Sequence, residues 1–305
     1  MTEQEALALK RPALQLRRRV IGALRAFFDG RGFLEVQTPL LTSAPAPEPH
    51  IDPISTDGYG YLITSPELYM KRLLAAGYER IYQFTPVFRA GERGRRHHPE
   101  FTLLEWYRLG ADYRSLQDDS RGLLYAACEA AGRSRGWFLG DVFLDVRGPW
   151  GHYTVREAFR LFAGWEPQDP LDQDRFDLDM AEKIEPRLGF PSPCILSDYP
   201  AGQAALARLS AEDPTVAERF ELYWAGVELA NGFSELTDPG EQRARFAAVM
   251  EERRKAGRLV TPMPEKFLDS LQNLAPCAGM ALGVDRLVML LASATDLDQV
   301  VAFPP

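Results

Sequence analysis

The spacing of apolar and polar positions changes period several times along the chain. Between 13 and 29, Leu14, Val20, Ile21, Leu24, Phe27 and Phe28 recur at helical intervals with arginines among them, and Gly30 and Gly32 end the run. FLEVQTPLL (33–41) alternates like a strand until Pro39, a residue confined to strand edges and ends because it has no N–H to give. SAPAPEPHIDP is a loop by its prolines. GYGYLITSPELYMKRLLAAG predicts a strand, a turn at Ser65-Pro66 and a helix ending at Gly77, with Glu67 at the positive end of that helix. RIYQFTPVFRA and EFTLLEWYRLGA predict a long antiparallel hairpin. A helix over 115–132 and a second hairpin over 133–153 follow, and FELYWAGVELANGFSEL (220–236) predicts paired strands around Gly226. Helices are expected over 239–257 and 262–274, and GMALGVDRLVMLLA reads as a strand end running into a buried helix. The acidic, proline-rich stretch around 154–194 predicts an inserted helical segment. Strands in hairpins with little βαβ alternation predict an α+β fold, an antiparallel β-sheet flanked by helices, in a single domain over 1–305.

Composition narrows the function. Hydrophobic residues make 46% and charged residues 26%, as in ordinary globular proteins, and the net charge is -8. General nucleic-acid binding through a basic surplus is not expected, because phosphate neutralisation dominates such affinity. Cys128, Cys194 and Cys277 stand far apart in no CxxC arrangement, which predicts reduced thiols and neither disulfides nor structural zinc. No apolar run reaches membrane-spanning length and no signal-peptide core opens the chain, so a cytoplasmic location is expected.

Against this acidic background, FRAGERGRRHHPEFTLLEWY (88–107) concentrates Arg89, Arg93, Arg95, Arg96, His97 and His98 near a hairpin tip. Arg89 follows the apolar pair Val87-Phe88, so it starts inside a sheet and needs an anionic partner. Phe101 and Trp106 add flat surfaces, and arginine forks beside an aromatic face suit a nucleotide triphosphate. Glu221, Glu228 and Glu235 recur at intervals of seven, and carboxylates beside a polyphosphate commonly hold magnesium. Gly279 and Gly283 precede Arg286 at a helix start, where the glycines permit close backbone approach and Arg286 can lie across a base or reach a terminal phosphate.

Together these segments resemble the three signature motifs of class II aminoacyl-tRNA synthetases, with FLEVQTPLL as the first, FRAGERGRRHHPEFTLLEWY as the second and GMALGVDRLVML as the third. TSPELYMKRLL and ELANGFSEL are similar to the lysyl branch. The resemblance implies that Arg89 grips the ATP α-phosphate and that Arg96 and His97 hold the outer phosphates. It implies that His98, with the backbone at Ala90-Gly91 and Leu229, meets the nucleotide base, between Phe101 and Arg286. It also implies that Gly283 lets the nucleotide sit close and that Glu221 and Glu228 bind Mg2+. Ser65, Pro66 and Glu67 match the segment receiving the amino end of the substrate, and Tyr107 and Glu235 match its other polar contacts. Two carboxylates, Glu67 and Glu235, make electrostatic sense for a diamine substrate on their own account. Two departures stand out: Arg89-Ala90-Gly91 replaces the usual Arg-Asn-Glu, with Glu92 one place late, and His98 stands where asparagine is common. In the third motif, lysyl-tRNA synthetases place glycine where this chain has Ala281, a methyl group expected to line the amino-acid pocket.

Lysyl-tRNA synthetases carry an amino-terminal anticodon-binding barrel, whereas this chain starts at the catalytic core. A lysyl-type core without the barrel is similar to the ligases that attach (R)-β-lysine to a lysine side chain of elongation factor P. The expectation is therefore an ATP- and Mg2+-using ligase that forms an aminoacyl-adenylate from (R)-β-lysine or lysine and requires no tRNA. A homodimer is implied, since the first motif builds the subunit interface in this class. A truncated lysyl-tRNA synthetase, an amide ligase of the asparagine synthetase A type and a catalytically dead paralogue remain open.

Overall fold

Helix α1 (Glu3–Asp29) starts where Thr2 and Glu5 close a capping box, each side chain meeting the other's backbone N–H. Its buried stripe is Leu16, Val20, Leu24, Phe27 and Phe28. The helix begins well before the apolar repeat does, because the cap and a run of good helix formers carry its exposed first turns past Pro12. This computed structural model describes residues 2–168 and 170–305; Met1 and Asp169, within the expected single domain and the expected insertion, lie outside the described residues. Seven further α-helices follow: α2 (Glu67–Ala75), α3 (Tyr113–Ala130), α4 (Val155–Phe162), α5 (Gln173–Asp179), α6 (Pro239–Lys255), α7 (Glu265–Leu271) and α8 (Val284–Leu291).

The strands are β1 (Leu34–Glu35), β2 (Leu41–Thr42), β3 (Ser55–Thr56), β4 (Gly60–Leu62), β5 (Arg80–Phe88), β6 (Glu100–Leu109), β7 (Gly136–Leu139), β8 (Val142–Asp145), β9 (Gly151–Thr154), β10 (Cys194–Pro200), β11 (Val216–Trp224), β12 (Val227–Ser234) and β13 (Cys277–Gly283). Eight of them form one sheet in the order β1-β5-β6-β13-β12-β11-β10-β9, while β2, β3 and β4 make a small second sheet and β7 and β8 a hairpin. From β5 to β10 each neighbouring pair is antiparallel. The edges correct the wholly antiparallel expectation, because β1 joins β5 and β9 joins β10 in parallel. Each parallel pair is bridged by a connection carrying helices, as parallel pairing requires. FLEVQTPLL does not form one strand: the backbone leaves the large sheet after Val36 bonds to Tyr82, and past Pro39 it enters the small sheet as β2.

Strand alternation gives the large sheet two unlike faces. Leu104 and Trp106 of β6, Met280 and Leu282 of β13, and Phe220 and Leu222 of β11 lie in one apolar core, which α1, α3 and α8 cover. Glu105 and Tyr107, Gly279 and Ala281, and Glu221 and Tyr223 alternate with them and turn to the other face. There α2, α6 and α7 pack around Phe246, Phe267 and Leu268 at one end. Helices α4 and α5 pack around Phe159 and Phe176 at the other. Between these two covers lies a cavity of about 690 Å³. The β11–β12 turn keeps the sheet tight beside it: Ala225 and Gly226 both have positive φ (52° and 68°), the backbone a two-residue hairpin loop demands. All three cysteines are free and buried, and no described helix is long and apolar enough to cross a membrane.

Candidate active site

Strand register builds one end of the cavity. Glu105 of β6 stands opposite Ala281 of β13, and Tyr107 stands opposite Gly279. Glu105 is buried, and its carboxylate accepts hydrogen bonds from the Ser65 hydroxyl at 2.7 Å and the Tyr107 hydroxyl at 2.9 Å. Burial, reinforced by the charge of Glu67, pushes its carboxyl up to about 8 against those two donors. Glu67 opens α2, and its backbone N–H donates to Ser65 Oγ at 2.9 Å. One turn on, Lys71 Nζ donates to the Glu67 carboxylate at 2.6 Å and contacts the carboxylate of Glu235. Lys71 is fully buried; burial lowers an ammonium's pKa, but Glu235 and Glu67 outweigh it and hold Lys71 above its ordinary value. Burial also drives Glu235 well above the carboxylate range, with Lys71 pulling against that. Lys71 Nζ is thus held between two carboxylates, Glu67 and Glu235. Gly279 leaves the room for them: a Cβ there would lie 2.1 Å from the Tyr107 ring and 2.4 Å from Glu235 Oε1.

Cations gather at the other end. Arg89 emerges from β5 with its guanidinium carbon 5.0 Å from the centroid of the Phe101 ring and 3.6 Å from Glu92 for its nearest nitrogen. Arg286, in the first turn of α8, donates to the Glu228 carboxylate at 3.1 Å and to its carbonyl at 3.0 Å. It also reaches His97 Nε2 at 2.6 Å. Burial, and then the charge of Arg286, lower the His97 pKa, which leaves a neutral ring able to accept from that guanidinium. Arg96 donates to the Gly226 carbonyl at 2.8 Å, so the motif loop is tied to the β11–β12 turn.

Behind this end, Glu221 accepts from the Tyr223 hydroxyl at 2.6 Å and pairs with Arg219 at 2.7 Å. Burial and the charge of Glu228 push Glu221 up, and burial with the charges of Glu228 and Glu221 pushes Glu185 up to about 7. Three carboxylates thus repel one another beside Arg219.

Among the residues expected from sequence, Ser65, Glu67, Tyr107 and Ala281 line the cavity at its acidic end. Arg89, Arg96, His97, Phe101 and Arg286 line it at the basic end, with Glu228, Leu229 and Gly283 between. Others stand back. Pro66 caps α2, and the N–H of Ala90, just before Gly91, bonds to the Asp52 carbonyl at 2.8 Å in the turn that leaves β5. Glu235 and Glu221 sit a layer behind the wall. Register sets Tyr223, not Glu221, opposite Glu228, with a bulge between Leu222 and Tyr223. His98 borders the cavity, but its Nε2 lies 2.9 Å from Asp298 and, with Asp296, it forms a small polar cluster. Sequence reasoning missed Glu105, Lys71, Glu185 and Arg219. The first two had signals: a carboxylate in phase with Leu103 and Tyr107 on an apolar strand, and a lysine one helical turn from Glu67. Glu185 and Arg219 had none, because their positions depend on packing between distant elements.

An antiparallel sheet with one face sealed by helices, the other holding an arginine-rich hairpin loop, and a glycine-bearing strand leading into Arg286, is the architecture of a class II synthetase core. The chain matches the family described as tRNA synthetases class II (D, K and N) over residues 7–305, and it belongs to that family. Relatives similar along almost their whole length are each named elongation factor P--(R)-beta-lysine ligase. The protein from Vibrio cholerae is 40% identical, over 95% of this chain and 94% of its own. That from Hamiltonella defensa is 41% identical over 93% and 92%, and that from Edwardsiella ictaluri 42% over 93% and 92%. By family the chain is an ATP-dependent ligase.

Proposed function

We propose that this protein activates (R)-β-lysine with ATP and transfers it to a lysine side chain of elongation factor P. The charge count of the acidic end carries the reading. Two carboxylates, Glu67 and Glu235, meet one ammonium, Lys71, which leaves one negative charge over, and Glu105 beside them adds a second when it ionises about pH 8. A diamino acid brings two ammonium groups to balance them, and its carboxylate then points away toward the arginines.

In the first half-reaction the β-lysine carboxylate oxygen attacks the ATP α-phosphorus and pyrophosphate leaves. Arg89, beside Phe101, is placed to meet the charge growing on the α-phosphate, where a fixed cation favours the transition state over the ground state. Arg96 and His97 hold the outer phosphates, and Arg286 lies across the base. In the second half-reaction the neutral ε-amine of the acceptor attacks the adenylate carbonyl, an amide bond forms, the mixed anhydride breaks and AMP departs. Mg2+ fits the donor set at Glu221 and Glu228: both are oxygen donors, the charge of Glu228 raises the proton affinity of Glu221, and a divalent cation would remove that repulsion. When bound there it supplies neutralising charge to the triphosphate. The exposed Leu34, Leu40, Leu41 and Tyr59 around the first motif support a homodimer.

The test is to mix the protein with ATP, elongation factor P, tRNA and either (R)-β-lysine or lysine, following AMP release and product mass. Elongation factor P gaining one β-lysyl group without tRNA is the expected result. Aminoacylated tRNA with unmodified elongation factor P would overturn the reading.

A further inference from the structure

The pair behind the cavity wall has no part in the steps above. Lys71 is fully buried, reaching Glu67 on its own helix and Glu235 at the end of β12. A lysine is seldom buried without reason, since taking its charge from water is costly unless a counter-charge meets it. Glu235 is as deeply buried, and its Oε1 has no hydrogen-bond partner among the described residues. Neither Lys71 nor Glu235 lines the open cavity; Glu67 and Glu105 do.

We propose that Lys71 is a positioning residue for amino-acid recognition: an internal counter-cation that cancels Glu235 and holds the Glu67 carboxylate in place, so that the wall accepts two ammonium groups and no more. The inference rests on reading this end of the cavity as an amine pocket. Without Lys71, Glu235 would lose the cation it contacts. Glu67 of α2 and Glu105 of β6 add negative charge to it, Tyr107 of β6 and Cys277 of β13 lie beside it, and Arg208, which acts on Cys277, is paired with Glu218. Glu67 would also lose the contact that fixes its rotamer.

The competing explanation is packing, because the Lys71 stem passes near Phe233 and Phe267, with Nζ 5.5 and 5.8 Å from the ring centroids. Lys71→Met preserves length and apolar volume while removing the charge, so it separates the two. Binding of (R)-β-lysine and of lysine is measured by titration calorimetry, ATP binding is measured separately, and melting temperature is followed across pH. In Lys71→Met the amino acid is expected to bind about tenfold or more weakly, with ATP affinity unchanged within about twofold.

The pH series carries the stronger signature. Burial already holds the folded Glu235 carboxyl well above the ordinary value while Lys71 pulls it down, so removing Lys71 raises it further. Its neutral form therefore contributes stability below the unfolded value near 4.3, and that stability drains away as pH rises toward the folded value. Lys71→Met should consequently lose more melting temperature than the parent as pH rises above the unfolded value toward the raised folded one. Lys71→Met/Glu235→Gln, with both groups gone, should lose the slope that the single variant added.

Equal loss of ATP and amino-acid affinity in Lys71→Met, or a parental slope in that single variant, would overturn the proposal. So would a double variant that keeps the steep slope. If the single variant does not fold, the double decides: folding supports a charge role and failure to fold supports packing alone. If the parent protein binds neither amino acid, the amine-pocket reading falls, whereas the melting series still judges the pairing of Lys71 with Glu235.

Discussion

At the scale of single residues, the two ends of the cavity make separable demands. On the proposed function, Arg89→Ala removes the cation beside Phe101 that would meet the α-phosphate, while its partner Glu92 is partly exposed and tolerates the loss. Adenylate formation, read by pyrophosphate exchange, should fall by about 10² to 10³ or more with the melting temperature little changed. Ala281 lies between Glu105 and Asn231 on neighbouring strands and borders the cavity, so its methyl group crowds one side of the amine pocket. On the proposed function, (R)-β-lysine, whose α-carbon carries no amine, would tolerate the methyl, whereas the α-amine of ordinary lysine would meet it. Ala281→Gly should shift the ratio of kcat/KM toward α-lysine, by about 1–3 kcal/mol for a methyl-sized change. Glu105 sets the pH response. Its carboxyl is pushed up to about 8, and only the ionised form attracts an ammonium group. Rising pH therefore ionises Glu105 and improves amino-acid capture, so kcat/KM for the amino acid should climb until about pH 8 and then level. Glu105→Gln should flatten that climb and lower the plateau.

Among the elements, the loop over 44–52 shows how an irregular segment becomes part of a site. Arg253, buried near the end of α6, donates to the Glu48 carbonyl at 2.8 Å and the Leu259 carbonyl at 2.8 Å, and it pairs with Asp52. Arg258 pairs with the same carboxylate at 2.9 Å. Arg253→Leu leaves these acceptors without their donor and should destabilise the fold by about 3–5 kcal/mol, measured by urea denaturation. None of this was legible in SAPAPEPHIDP, whose prolines announce a loop but not what holds it. The long hairpins were legible, because β5–β6 and β11–β12 are strongly alternating and joined by turn-forming residues. The acidic wall was half legible. Glu67 and Tyr107 came from the motif, whereas the pairing of Lys71 with Glu235 joins α2 to β12, which no local pattern encodes. The parallel edge strands escaped because β1 has only two residues and β10 pairs across a long helical connection. The two-residue turn sets Tyr223 opposite Glu228, and the bulge beyond it moves Glu221 on to face Asn231, a shift of register that does not mark the sequence.

For the molecule as a whole, an apolar surface remains where the first motif meets solvent, at Leu34, Leu40, Leu41 and Tyr59. A second copy covering it would explain why strands as short as β1 and β2 hold their place. Sedimentation at micromolar concentration should give twice the chain mass of 34.3 kDa, and replacing Leu40 and Leu41 by lysine should return a monomer. The one-sided sheet, finally, imposes an order of events. With α1, α3 and α8 packed over one face, the nucleotide, the amino acid and the incoming acceptor of the proposed function would all use the other. On the proposed function the attacking amine belongs to a protein side chain, which would enter by the same open face as the departing pyrophosphate leaves. Activation and transfer are thereby separated in time: the acceptor has nothing to react with until the adenylate is made and the triphosphate end of the cavity has emptied.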